Sequence, residues 1–134
     1  MYTLKWTAGT WLDTDGGTHF KMYGKLAVDI GQRPQHQGVI LWELPPEGYQ
    51  EVKLGTTKIF SSSVNFQESK DFQKNGLVIL HGKTMEFDER NIQTIGDYEG
   101  ETYTAEMLLN GLTLNYQESR GGRVTINMEL TYVD

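Results

Sequence analysis

The feature that most constrains this chain is the period-2 alternation of its last quarter, residues 101 to 134. Tyr103, Ala105, Met107 and Leu109 alternate with mostly polar residues, then Asn110-Gly111 intervenes, and Leu112, Leu114 and Tyr116 alternate again. After Ser119-Arg120-Gly121-Gly122, Val124, Ile126, Met128, Leu130 and Tyr132 alternate with Thr125, Asn127, Glu129 and Thr131. A side chain every second residue on one face is the signature of a strand with one dry side. The spacing predicts a C-terminal three-stranded antiparallel meander. Asn-Gly suits a type I′ hairpin, which sets Leu109 opposite Leu112, Met107 opposite Leu114 and Ala105 opposite Tyr116. For the second turn, an odd-length loop at Arg120-Gly121-Gly122 keeps dry faces together. It sets Tyr116 opposite Ile126, Leu114 opposite Met128 and Leu112 opposite Leu130, with a G1 bulge closing the turn. The other face carries Glu106, Asn115, Asn127 and Glu129, a solvated or partner-facing surface.

Upstream, the same grammar recurs. Tyr2, Leu4 and Trp6 predict a short first strand that Ala8-Gly9 breaks or bends, and Asp13 to Gly17 reads as a hairpin loop. A long strand follows from Thr18 to Ile30, with Gly24 marking a bend such as a barrel strand makes at a corner. Gly31 to Gly38 reads as a polar loop, Val39 to Trp42 as a strand stopped by Pro45-Pro46. Tyr49 to Leu54 and Thr57 to Val64 suit a hairpin across Gly55-Thr56. One short helix is predicted near 66–74, because Asn65-Phe66-Gln67-Glu68 has the spacing of a capping box and Asn75-Gly76 suits a left-handed stop. Leu77 to Leu80 and Met85 to Phe87 complete the strands, joined by a bulge or a turn at His81-Gly82-Lys83. The total is about eight to ten strands, an all-β, single-domain antiparallel β-barrel over 1–134, with a β-sandwich as the alternative.

Composition narrows function by exclusion. A net charge of −6 opposes nucleic acid phosphates and anionic membrane surfaces, so neither is an expected partner. There is no cysteine, which removes disulfides and thiolate chemistry. No signal peptide and no apolar run of about 18 residues is visible, and the expected location is the cytoplasm or a macromolecular assembly.

Few residues suggest chemistry. Asp13-x-Asp15-Gly16 begins like a calcium loop, yet the twelfth position is Gly24 where an EF-hand needs glutamate. Asp97-x-Glu99-x-Glu101 could gather carboxylates on one face, or serve as a charged edge that deters strand addition. His19, His36 and His81 are scattered without metal-pair spacing. His81 is the best single candidate, a polar group expected on the apolar face of Leu77, Ile79, Met85 and Phe87, with Glu86 or Asp88 as its first partners for an enzyme. Trp6, Trp11 and Trp42 could bind a sugar, though core packing suits them equally, and Tyr116 joins the inward rows. No catalytic set, metal site or cofactor is indicated.

Gly9-Thr10-Trp11 near the start of a small β-rich chain resembles the Gly-x-Trp opening of the calycin barrels, the lipocalin, avidin and fatty-acid-carrier group. The resemblance implies that an arginine near the last strand, here Arg123, packs over Trp11. Two functional expectations follow. The first is a non-enzymatic β-scaffold acting through protein–protein interaction or self-assembly. The second is a calycin-like barrel carrying an apolar ligand, suggested by the rows of Phe20, Met22, Met107, Tyr116 and Met128.

Overall fold

In the computed structural model, residues 1–12, 19–32, 35–88, 91–118 and 122–134 are described, with the side chains of Leu12, His19, Phe20, Gln35, His36, Asp88 and Asn91 also outside the description. The expected Asp13 to Gly17 loop, Arg120 and Gly121 of the expected Arg120-Gly121-Gly122 turn, and the side chains of His19 and His36 therefore lie outside the described residues.

The chain is all-β, with antiparallel strands β1 (Tyr2–Leu12), β2 (His19–Gln32), β3 (Gln35–Leu44), β4 (Gln50–Lys53), β5 (Thr57–Phe66), β6 (Leu77–His81), β7 (Lys83–Asp88), β8 (Asn91–Asp97), β9 (Thr102–Thr104), β10 (Leu112–Gln117) and β11 (Gly122–Tyr132). Two short helices, α1 (Phe72–Asn75) and α2 (Ala105–Leu109), interrupt them. The strands form two sheets. Sheet A runs β10-β11-β1-β5; sheet B is organised on β2, with β3 and β4 on one side and β7 and β6, then β8 and β9, on the other. The architecture is the expected all-β, antiparallel one, two sheets of which one curls towards a half-barrel.

Inward residues of both sheets make one core. From sheet A come Leu4, Trp6, Ala8, Val124, Ile126, Met128 and Leu130; from sheet B come Met22, Leu26, Val28, Trp42, Val78 and Leu80, all buried. One end closes on aromatics. The Tyr2 ring lies 5.4 Å from Phe66, 5.1 Å from Phe72 and 4.6 Å from Tyr132, and its hydroxyl donates to Ser69 O at 2.9 Å. The termini are tied to each other, because Val133 N–H donates to Met1 O at 2.9 Å.

The bend expected at Gly24 is present, and it has a counterpart. Gly24 has φ +130° and Gly82 φ +111°, a region that suits glycine. A Cβ on Gly24 would stand 2.1 Å from Lys83 O, and one on Gly82 would stand 2.2 Å from Lys25 O. The two backbones thus cross at van der Waals limit, each glycine against the other strand's carbonyl. At this point β2 exchanges neighbours: residues 19–22 pair with β4 and 24–32 with β3, while 21–24 pair with β7 and 27–31 with β6. The His81-Gly82-Lys83 junction is accordingly a bulge between two segments that both run along β2.

Several local expectations are corrected. The meander's first strand is instead the helix α2. Thr104 caps it, its Oγ1 accepting from Met107 N–H at 3.3 Å, and Ala-Glu-Met-Leu-Leu is a run of good helix formers. Ala105 and Leu108 face the core, and Met107 is 50% exposed, so it leaves the expected inward row. Asn110-Gly111 ends this helix, with only Gly111 at positive φ (+79°), and makes no type I′ hairpin; the pairings of Leu109, Met107 and Ala105 with β10 do not form. In the second hairpin Leu112 pairs with Met128, Leu114 with Ile126 and Tyr116 with Val124. That is two residues from the expected register, a shift that keeps every side chain on its expected face. Glu118 N–H donates to Gly122 O at 2.9 Å.

The helix expected at 66–74 is a single turn, Phe72–Asn75, because Asn65 and Phe66 belong to β5 and Asn65 Oδ1 accepts from Thr3 Oγ1 at 2.7 Å. It stops at Gly76 in extended backbone, where the Phe72 ring occupies the place of a Cβ. β1 runs unbroken through Ala8-Gly9, since the Trp11 ring folds back over Gly9. The polar stretch before Val39 is already β3 from Gln35. β4 and β5 meet at a turn, Thr56 N–H donating to Lys53 O at 2.9 Å, yet diverge into opposite sheets as the buried Val52 joins β2.

The crossing predicts a graded series. Gly24→Ala and Gly82→Ala should each destabilise by about 2–4 kcal/mol, combining backbone strain with a steric clash. Gly55→Ala, at positive φ but with nothing within 4 Å, should cost about 1–2 kcal/mol. Urea unfolding midpoints check this; equal losses at all three sites would contradict it. Phe72→Ala should cost about 3–5 kcal/mol by the same measurement.

Candidate functional site

The residues singled out from sequence separate into three places. Trp6 (5% exposed) and Trp42 (7%) point into the core, Trp42 stacked on Phe60 at 5.3 Å. Both indole N–H groups are buried without a partner among the described residues. Tyr116 packs edge-on against Tyr98 at 5.7 Å, and its hydroxyl donates to Glu101 Oε2. Burial, followed by that carboxylate, pushes its pKa well above the usual tyrosine range. Trp11 stands on the outer face of sheet A, where the Arg123 guanidinium lies 4.6 Å from its ring. The expected Trp11–Arg123 contact is thus present, as a cross-strand pair of β1 and β11 in a sheet that ends at β5 and β10.

His81 is at the glycine crossing, and its partners differ from those expected. Inward positions of β6 are Val78 and Leu80, so His81 faces outward with its side chain 33% exposed. Its Nε2 lies 2.8 Å from Asp29 Oδ2 and its Nδ1 3.1 Å from Glu99 Oε1, in place of Glu86 or Asp88. Glu99 Oε2 accepts from Gly82 N–H, which fixes the carboxylate on the bulge. Only an imidazolium can donate to both carboxylates at once. The Glu99 hydrogen bond, reinforced by Asp29 against partial burial, raises the His81 pKa above 6.5. The Gly82 N–H and His81 lower the Glu99 pKa below 4.5. Beneath this clip Tyr98, fully buried, donates to Lys25 O at 2.6 Å, leaving its oxygen to accept from Thr84 Oγ1 at 3.1 Å. The remaining carboxylates scatter: Asp97 lies 3.8 Å from Lys83 Nζ and Glu101 accepts the Tyr116 hydrogen bond, so Asp97, Glu99 and Glu101 do not converge. Glu86 points inward at 4% exposure, with Oε2 unpartnered among the described residues.

An open concavity of about 790 Å³ lies elsewhere, on the outer face of sheet A. Its floor includes Lys5, Thr7, Ser61, Ser63, Asn127 and Glu129, and the Asn110-Gly111 turn after α2 overhangs one side. Strand order makes the floor: Thr113, Asn127, Thr7 and Ser61 form one row across β10, β11, β1 and β5. At about 4.8 Å between strands the row spans roughly 14 Å. Hydroxyls donate to amide oxygens along it and beside it, Thr113 Oγ1 to Asn127 Oδ1 at 2.7 Å and Thr125 Oγ1 to Asn115 Oδ1 at 2.9 Å. Lys5 and Glu129 are direct cross-strand neighbours, so both charge signs are present. The lining holds hydroxyls, amides and one pair of charges, and no imidazole to activate them. Sequence alternation found the wet faces of β10 and β11, including Asn115, Asn127 and Glu129. It had no signal for the strand order that sets them beside Lys5, Thr7 and Ser61.

Neither protein-family models nor curated proteins match the sequence. Among solved structures, the chain is similar to one in the crystal structure of the Cry23Aa1 and Cry37Aa1 binary protein complex, with 15% identity, 98% of each chain covered and a TM-score of 0.58. That likeness is one of fold. Among the described residues no helix is long and apolar enough to cross a membrane.

The His81 clip sets a pH dependence of stability. A raised histidine pKa contributes stability that is complete below pH 6.5 and lost as pH rises through the folded value. A lowered Glu99 pKa contributes stability present above pH 4.5 and lost as pH falls through its folded value. Stability from the clip should therefore be greatest between those two values. His81→Gln should flatten the decline from neutral to alkaline pH in urea titrations; an unchanged slope would remove His81 as its source.

Proposed function

We propose that the chain is a non-enzymatic β-scaffold that acts by protein–protein contact, with the outer face of sheet A as its working surface. The observation that carries this reading is the concave, hydroxyl- and amide-lined floor around Thr7 and Asn127. Side chains on strands are held by the ladder beneath them, so such a surface is presented already ordered, which lowers the entropy lost on binding. Mixed donors, acceptors and two opposite charges suit a polar partner surface and its bridging waters. A solved chain of similar fold comes from a complex of two proteins, which lends the reading support by analogy. Trp11 is the one sequence-selected aromatic on this face, and as a half-exposed ring it suits a contact anchor. The carrier alternative draws on Met22 and Met128 in the core, and it is weakened by the exposure of Met107.

Cross-linking with mass spectrometry on the complex recovered from its natural source tests this. Cross-links to the partner should concentrate on Lys5, on the outer face of sheet A, and avoid Lys21, Lys25 and Lys83 of sheet B. Thr7→Trp, which fills the concavity, should weaken binding at least about tenfold, or roughly 1.4 kcal/mol, while Glu47→Ala leaves it unchanged. Cross-links confined to sheet B, or recovery of the chain with a small apolar ligand and no protein, would overturn it.

A further inference from the structure

We propose that β5 is a self-pairing edge, joining sheet A to sheet A of a second copy across a two-fold axis at Ser62; this rests on the protein-contact reading and adds a second contact at the margin of the same sheet. β5 pairs with β1 from Tyr2↔Phe66 to Trp11↔Thr57 with no shift in register, so it is straight and free of bulges over ten residues. Its other edge meets no strand among the described residues, and no backbone hydrogen bond outside the ladders involves residues 57–66. Half of its N–H and C=O groups therefore point outward unpaired. Protective devices are sparse: one charge, Lys58, and no proline. The other long outer margin, that of β3 and β4, is broken by Pro45-Pro46, and its ladder with β2 carries a register shift. Even Ser62, whose parity matches the buried Trp6, is exposed, because the core stops short of this edge.

The sequence of β5 is complementary to itself. With Ser62 opposite Ser62 of the second copy, Phe60 meets Val64 twice and Ser61 meets Ser63 twice, inner face to inner face. A register one residue away would exchange the faces, and a two-fold at Ser61 would set Phe60 against Ser62. Lys58 falls opposite Phe66 of the second copy, with Glu68 on the diagonal, within reach of a long side chain. Like charges stay apart. The product is a continuous eight-stranded sheet with an isologous interface.

Because the chain has no cysteine, Ser62→Cys tests the axis directly. Equivalent positions in an antiparallel pair bring Cα atoms to about 4.5–5.5 Å, within the Cα range of a disulfide. Under mild oxidation Ser62→Cys should form covalent dimer at least about tenfold faster than Glu47→Cys, and Ser61→Cys should lag behind it. Light scattering on the unmodified chain should approach twice 15.3 kDa near 0.5 mM, about the range expected for a weak edge contact. Ser62→Lys, with circular dichroism and melting temperature unchanged, should restore the monomer. A monomer at every concentration, with Ser62→Cys no faster than Glu47→Cys, overturns self-pairing. If a protein partner still cross-links to sheet A, the contact reading survives that failure; if none does, both fall.

Discussion

The rest of the fold depends on a steric fact about two peptide planes. At Gly24 and Gly82 two strands of sheet B approach until each strand's carbonyl oxygen sits where the other's Cβ would be. Only glycine permits that distance with positive φ, and the crossing lets β2 exchange β4 for β3 on one side and β7 for β6 on the other. The sheet consequently curls over sheet A and seals Leu4, Ile126 and Met128 against Met22, Leu26 and Leu80. The surrounding polar groups belong to this junction. Tyr98, itself bonded to Thr84, satisfies Lys25 O below it, and Asp29, His81 and Glu99 bracket it above.

What was legible in the sequence is what repeats locally. Alternation gives most strands, the bend at Gly24, and the wet faces of β10 and β11. The contact of Trp11 with Arg123 came from the calycin resemblance, although the pair belongs to an open sheet. Where two local codes fit the same residues, alternation misleads. Thr104 to Leu109 satisfies both period 2 and a capped helix, and the packing of Ala105 and Leu108 into the core decides for the helix. Asn65 to Glu68 has a capping-box spacing, yet ladder pairing of Asn65 and Phe66 with Thr3 and Tyr2 outweighs a short helix that could not sustain itself. The β10–β11 register moves by two residues because either position preserves the dry face.

Long-range partners were not legible. Asp29 precedes His81 by 52 positions and Glu99 follows it by 18. The floor of sheet A likewise unites β1, β5, β10 and β11, strands that alternation could describe singly but not order. Topology thus turns an ordinary wet row into a shaped surface and leaves the outer margin of β5 without a strand among the described residues. In the proposed reading sheet B is the bent support, with its titratable clip at the bend, and sheet A the presented face.

Amide hydrogen exchange, mapped along the chain in dilute and concentrated solution, tests this division most directly. The account predicts that protection rises with concentration in alternate amides of β5, those turned away from β1, while amides around Gly24, Gly82 and Glu99 keep one rate throughout. Protection that changes at the glycine crossing while β5 stays constant would contradict it.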